Sequence, residues 1–134
     1  MTYALDTNTI IHLLNQNKSV ETKRDEAIAK KSRFIIPPVV DYELRRGFYY
    51  KPSPKKAPMY FAIAGHYGIG DMTSHAWFRA ADIYADLRRK RLTVADADIL
   101  IAAFCIINDY TLITNNTKDF KDIEDLAIED WVVH

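Results

Sequence analysis

Tyr3-Ala4-Leu5-Asp6-Thr7-Asn8-Thr9-Ile10-Ile11-His12-Leu13-Leu14 opens the chain with a short apolar run, one acid, a polar triplet and a helical stripe. Tyr3-Ala4-Leu5 reads as a buried strand ending at Asp6. Ile10, Ile11, Leu13 and Leu14 share a helix face, with Thr7, Asn8 or Thr9 available as N-cap. The same strand-then-helix unit recurs downstream. Phe34-Ile35-Ile36 is a second short strand stopped by Pro37-Pro38, and proline favours the start of the helix expected over residues 39–50. Between these units, residues 19–31 form a polar helix with Ser19 as a plausible cap. Pro52, Pro54 and Pro58 punctuate a connector, followed by a short helix over residues 59–66. Thr73 or Ser74 caps a long helix reaching about Lys90, and Asp96 or Asp98 opens another that runs to Ile107. Thr111-Leu112-Ile113-Thr114 is a third strand and Trp131-Val132-Val133 a last one. Alternating short strands and helices imply an α/β three-layer sandwich around a mostly parallel, short-stranded sheet. Residues 1–134 are expected to form a single domain, since this length leaves no room for a second core.

Composition excludes several classes. No apolar run approaches the roughly 20 residues that span a bilayer. Asp6 stands where a secretion signal would need a basic start and a long apolar core, so a cytoplasmic protein is expected. The one cysteine, Cys105, rules out an internal disulfide and sits in an apolar run, as a buried inert thiol would. His12 falls near the first helical stripe, and His66, His75 and His134 show no ligand spacing. Net charge is zero, yet residues 1–91 hold sixteen Lys/Arg against nine Asp/Glu, and residues 92–134 hold two against nine. Such asymmetry suits a protein that holds a polyanion with one region and a cation with another. Residues 45–70 contain Arg45, Arg46, Lys51, Lys55 and Lys56 and no acid, and Arg88-Arg89-Lys90-Arg91 forms a second basic cluster.

In an open parallel sheet, ligands bind beyond the carboxyl ends of the strands. Asp6 ends the first strand, and Asp119 follows the third by a short loop. Glu43 lies about a turn into the helix after the second strand, and Asp98 opens its own helix. Each has a bland reading. Asp6 is a helix cap, Asp98 a charge at a helix dipole, Glu43 a partner for Arg46, and Asp119 a turn residue. Their convergence on one sheet edge is what points to chemistry. Four crowded carboxylates repel one another, and protons or a divalent cation relieve that repulsion. Oxygen-only ligands favour Mg²⁺ or Mn²⁺.

The motifs, in chain order, resemble those of the PIN-domain nucleases. Leu5-Asp6-Thr7-Asn8 is similar to their opening motif and Glu43-Leu44-Arg45-Arg46-Gly47 to their E-L-x-x-G segment. Asp98-Ile99-Leu100-Ile101-Ala102-Ala103 resembles the D-x-x-I-A-A helix start, and residues 112–120 resemble L-x-T-x-N-x-x-D-F. Residues 126–131 are similar to the family's ending. In length and detail the chain resembles the VapC-type toxins of toxin–antitoxin pairs. The resemblance implies an endoribonuclease with metal binding and catalysis by Asp6, Glu43, Asp98 and Asp119. It gives Thr7, Asn8, Thr114 and Asn116 supporting roles, with Asn116 orienting Asp119 or the scissile phosphate. It further implies an antitoxin partner and homodimerisation. Asp96 competes with Asp98 for one role, but the two lie about 200° apart on a helix. The I-A-A spacing favours Asp98 as ligand and Asp96 as N-cap. The segment before Glu43, Pro37-Pro38-Val39-Val40-Asp41-Tyr42, lacks the small hydroxyl residue often found there.

Arg45, Arg46, Lys51, Lys55 and Lys56 are the candidate RNA contacts, with Tyr49 and Tyr50 as stacking platforms. The apolar residues of 10–14 and 48–61 offer a groove for a partner's amphipathic helix. Competing readings are an RNA-processing nuclease outside any toxin pair and a non-catalytic RNA-binding or scaffolding module of the same fold. A phospho-accepting receiver domain fits poorly, because a single acid follows the first strand and the required lysine is not apparent.

Overall fold

The computed structural model describes residues 1–133; His134 lies outside the described residues. Four parallel strands, β1 (Thr2–Leu5), β2 (Arg33–Ile35), β3 (Thr111–Ile113) and β4 (Ile128–Glu129), form a sheet in the order β2-β1-β3-β4. Tyr3 pairs in register with Phe34 on one side and with Thr111 on the other. Because the chain leaves β1 first toward β2 and later returns to its other side with β3, the β1–β3 boundary is where strand order reverses. A crevice forms there, beyond the strand carboxyl ends. Among the described residues, seven helices surround the sheet: α1 (Thr7–Leu14), α2 (Lys18–Ala29), α3 (Pro38–Tyr50), α4 (Lys56–Tyr67), α5 (Ser74–Arg89), α6 (Asp96–Asn108) and α7 (Thr117–Phe120). The expected α/β architecture with a parallel sheet is therefore observed.

The core explains why α6 is apolar all round. Ile99, Ile101, Ala102, Ala103, Phe104 and Cys105 are all buried there, beside Ala4, Leu5, Leu112 and Ile113 of the two central strands. From Ile99 to Ile106 the helix is covered on nearly every side, so it reads as a continuous apolar run rather than a stripe. The thiol of Cys105 is pushed up by burial, consistent with an inert packing role. Gly70 lets the backbone lie directly on the Phe104 ring; a Cβ at that position would collide with it. Four helices, α1, α2, α5 and α6, are followed closely by a residue in the left-handed region: Gln16, Lys31, Arg91 and Asp109.

Several local expectations are corrected. The last strand is Ile128–Glu129, not Trp131-Val132-Val133. The Trp131 ring instead plugs the end of the sheet, edge-on to Tyr3 and Phe34, with its indole N–H donating to Glu129 Oε1. The N-cap of α1 is Asp6 itself, whose Oδ1 accepts from the Thr7 N–H at 2.8 Å, so none of Thr7, Asn8 and Thr9 holds that position. Asn17 caps α2, and Ser19 Oγ donates to the Asn17 side chain. Ala95 is the N-cap of α6 and offers no side-chain cap, which leaves Asp96 exposed in the first turn rather than capping. Asp119 follows β3 by a short loop, as expected, and lies within the single turn of α7.

Candidate active site

Asp6 is the most enclosed acid of the chain, with about 4% of its surface exposed. Its dual task as helix cap and strand terminus fixes both carboxylate oxygens. Oδ1 takes the Thr7 N–H; Oδ2 takes the Thr114 hydroxyl at 2.7 Å and the Asn8 amide at 3.1 Å. Thr114 is itself buried just beyond β3. Having donated its proton to Asp6, its oxygen accepts the Asn116 N–H at 3.0 Å. The Asn8 side chain also accepts the Asn115 N–H, which binds the β3–α7 turn to α1. Burial raises the Asp6 carboxyl above its ordinary range, against the lowering pull of Thr114, Thr7 and Asn8; the Asp119 charge adds a further push upward.

Glu43 approaches from α3. The Thr7 hydroxyl donates to its Oε1 at 3.0 Å, and the Arg46 guanidinium stands 3.9 Å from Oε2. Asp98 approaches from the first turn of α6. Desolvation, followed by the charges of Asp6, Asp119 and Glu43, lifts its carboxyl from 3.8 to about 6. Three acids from three other places in the chain thus act on one half-buried carboxyl. The charges of all three other anticipated acids reach Asp98, and exposed Asp96 is not among the charges that act on it.

Among the described residues, no three acidic, histidine or cysteine side chains converge tightly enough to hold a metal ion by themselves. The donor set still suits a hard cation. Its groups are all carboxylate oxygens, mutually repelling, and Mg²⁺ characteristically keeps several waters while binding one or two carboxylates and a phosphate.

The remaining expected residues divide. Lys51 and Lys56 line a cleft of about 340 Å³ with Thr7, Ile11, Leu14, Glu43 and Phe48, so they lie beside Glu43. Lys55 is exposed at the start of α4, and Arg46 packs over the Tyr42 ring. Arg45 is directed elsewhere. Its Nε contacts both Asp41 oxygens at 2.9 and 2.8 Å, and its guanidinium lies over Phe61. The buried Tyr60 hydroxyl donates to the same Asp41 at 2.6 Å, locking α4 onto α3. Tyr49 and Tyr50 are largely exposed. Asn116 contributes backbone: its carbonyl accepts the Asp119 N–H, and its side chain makes no cap hydrogen bond.

Sequence reasoning misses Thr9, Asn115 and the Asp41–Tyr60 pair. Thr9 Oγ1 donates to the Ile113 carbonyl at 2.8 Å and staples α1 to β3. Only the four-residue spacing of Asp41 and Arg45 carries a signal for the last of these.

The fold is a parallel sheet with Asp6 at its switch point and Asp98 under the charges of Asp6, Asp119 and Glu43, and the PIN-domain family model matches residues 3–126. The chain belongs to the PIN-domain family and, within it, to the VapC ribonucleases. It is 31% identical to Ribonuclease VapC2 of Rickettsia felis over 134 residues, covering 98% of each chain. It is 28% identical to the tRNA(fMet)-specific endonuclease VapC of Salmonella typhimurium, covering 96% of this chain and 97% of that one. The fold superposes with a TM-score of 0.89 on a chain of the crystal structure of VapBC2 from Rickettsia felis bound to a promoter DNA fragment. That match has 28% identity and covers 98% of this chain and 99% of the other. No described helix is long and apolar enough to cross a membrane.

Proposed function

We propose that this protein is a divalent-cation-dependent endoribonuclease, the toxin of a toxin–antitoxin pair, with Asp6, Glu43, Asp98 and Asp119 as its catalytic and metal-binding acids. The observation that carries this reading is the clamped acid at the switch point: Asp6 held by Thr114, Asn8 and Thr7, with Glu43 held by the same Thr7 and Asp98 raised by the charges of the other three. Such crowding is costly without a cation, and it clusters at functional sites. Bound among these carboxylates, Mg²⁺ or Mn²⁺ would supply the electrophile that polarises a phosphodiester and offsets the charge of the leaving oxygen.

The chain's own residues do the rest. Thr114, Asn8 and the Thr7 N–H hold Asp6 in one orientation, so its oxygens need no reorganisation when a substrate arrives. The Thr7 hydroxyl aims Glu43 in the same way. Asp98 or Glu43 would align or deprotonate the attacking water. Lys51 and Lys56 neutralise the incoming backbone beside Glu43.

The partner is proposed to be a small antitoxin protein, as in the VapBC complexes of the relatives. Ile11, Leu14 and Phe48 in the cleft beside Glu43 offer apolar contacts for its helix. Homodimerisation and a cytoplasmic site of action belong to the same reading. The deciding experiment incubates purified protein with cellular RNA, with and without chelator, and sequences the ends produced. Defined internal cuts that vanish with chelator and in Asp6→Asn are expected. Cuts that survive excess chelator refute the metal-dependent mechanism.

A further inference from the structure

We propose that the turn joining α5 to α6 is a second phosphate-holding bank for single-stranded RNA, formed by Arg88, Arg89 and Arg91 on the Asp98–Asp119 side of the acids. The proposal rests on the ribonuclease reading above. Topology places the turn. Helix α6 ends just before β3 begins, so its first turn, with Asp98, lies at the strand carboxyl ends; α5 finishes only a few residues earlier, at Arg89. Lys90 then ties this end of α5 to the segment after α7, donating to Glu124 at 2.9 Å as well as to Asp86 at 2.9 Å. The α5 terminus therefore sits between the element that carries Asp98 and the segment that follows Asp119.

Local charge is positive by one, with Arg79, Arg88, Arg89, Lys90 and Arg91 against Asp82, Asp86, Glu124 and Asp125. Asp86 and Glu124 are engaged by Lys90, and Asp125 by Arg79 at 2.8 Å. All four acids line one small polar cleft, which Arg79 and Arg89 share. Among the described residues Arg88, Arg89 and Arg91 form no ion pair, and all three are exposed. Arg88 rests over the ring of the half-exposed Tyr84, which gives the bank a flat aromatic and guanidinium surface of the kind that stacks unpaired bases. Arg91 takes the left-handed conformation at φ 59°, with its N–H on the Arg88 carbonyl, so the chain turns sharply there. The acids between the two basic banks repel a polyanion; a strand held on both sides crosses them only at the phosphate to be cut. Lys51 and Lys56 hold it on the Glu43 side, and the arginines on the other.

The test compares three proteins in Mg²⁺: wild type, the variant Arg88→Gln/Arg89→Gln/Arg91→Gln, and a control of equal charge loss, Lys30→Gln/Lys31→Gln/Arg33→Gln. The control residues precede or open β2 and so lie at the opposite edge of the sheet. On a single-stranded RNA of about 12 nucleotides, the slope of log kcat/KM against log salt is expected to flatten by about 2 in the arginine variant, near 0.7 per lost phosphate contact. KM should rise while kcat stays within about twofold. The control should match wild type, and a trinucleotide too short to reach the bank should be cut equally by all three. A slope unchanged in the arginine variant, or flattened as much in the control, overturns the proposal. Wild-type protein that cuts no RNA overturns the ribonuclease reading and this proposal together.

Discussion

Replacing Asp98 by Asn should make the cation-free protein more stable while destroying its activity. At neutral pH the Asp98 carboxylate is held ionised against burial and against Asp6, Asp119 and Glu43. Lifting a carboxyl from 3.8 to about 6 corresponds to about 3 kcal/mol against the charged form, at about 1.4 kcal/mol per pKa unit. Asp98 is only half-buried, so solvent screening reduces this to about 1–2 kcal/mol. A charge in the first turn of α6 is also favoured by the helix dipole, and its loss costs about 0.5 kcal/mol. The balance, about 1 kcal/mol, predicts a melting temperature about 3 °C above wild type at pH 7.5 in chelator. The sign with pH follows from a folded-state value above the unfolded one. Below about 6 the folded state binds the proton first, so the wild-type penalty is relieved as pH falls toward 4 and the advantage of the variant shrinks. Adding Mg²⁺ should reverse the order by stabilising wild type alone. Thermal melts at pH 7.5 and 5.0, with chelator and with Mg²⁺, measure all of this. A variant no more stable than wild type at pH 7.5, or one whose advantage persists undiminished at pH 5, refutes the electrostatic account of the site.

Three further outcomes are expected. Thr114→Val leaves Asp6 Oδ2 and the Asn116 N–H without their buried partner; it should cost about 1–3 kcal/mol in denaturant melts and lower kcat/KM about 10–100-fold. Asp96→Asn, exposed and not a cap, should change stability by less than about 0.5 kcal/mol and leave RNA cleavage intact. Inactivity in that variant would show that the wrong acid of the pair has been assigned. Tyr60→Phe removes the 2.6 Å bond to Asp41 and should cost about 1–2 kcal/mol; urea midpoints decide, and an unchanged midpoint would mean that the α3–α4 lock holds without it.

The fold was legible wherever one local rule governed a segment. A strand covered on both faces is a plain apolar run, and Leu5 or Ile113 can be read no other way. The acids were legible by position, since each follows or faces a strand end. What escaped was decided by contacts distant in sequence. Trp131 and Val132 have strand-like composition, but Tyr3 and Phe34 from the far end of the chain draw the indole into the core. Arg45 looks like a free RNA contact until Tyr60 and Phe61, on the next helix, are seen to enclose its partner and its face. Asp6 was legible both as an acid and as a cap, but Thr7, Asn8 and Thr9 competed for the capping role, and only the strand's end decides it.

Gly70 has no chemistry of its own, yet its missing side chain reaches the site. The Phe104 ring it accommodates lies six residues along α6 from Asp98, about 9 Å of rigid helix. A methyl group there would push on the far end of a lever whose near end carries the most perturbed of the four acids. Tolerance to substitution should therefore dip at Gly70, a position that a survey of polar residues would pass over.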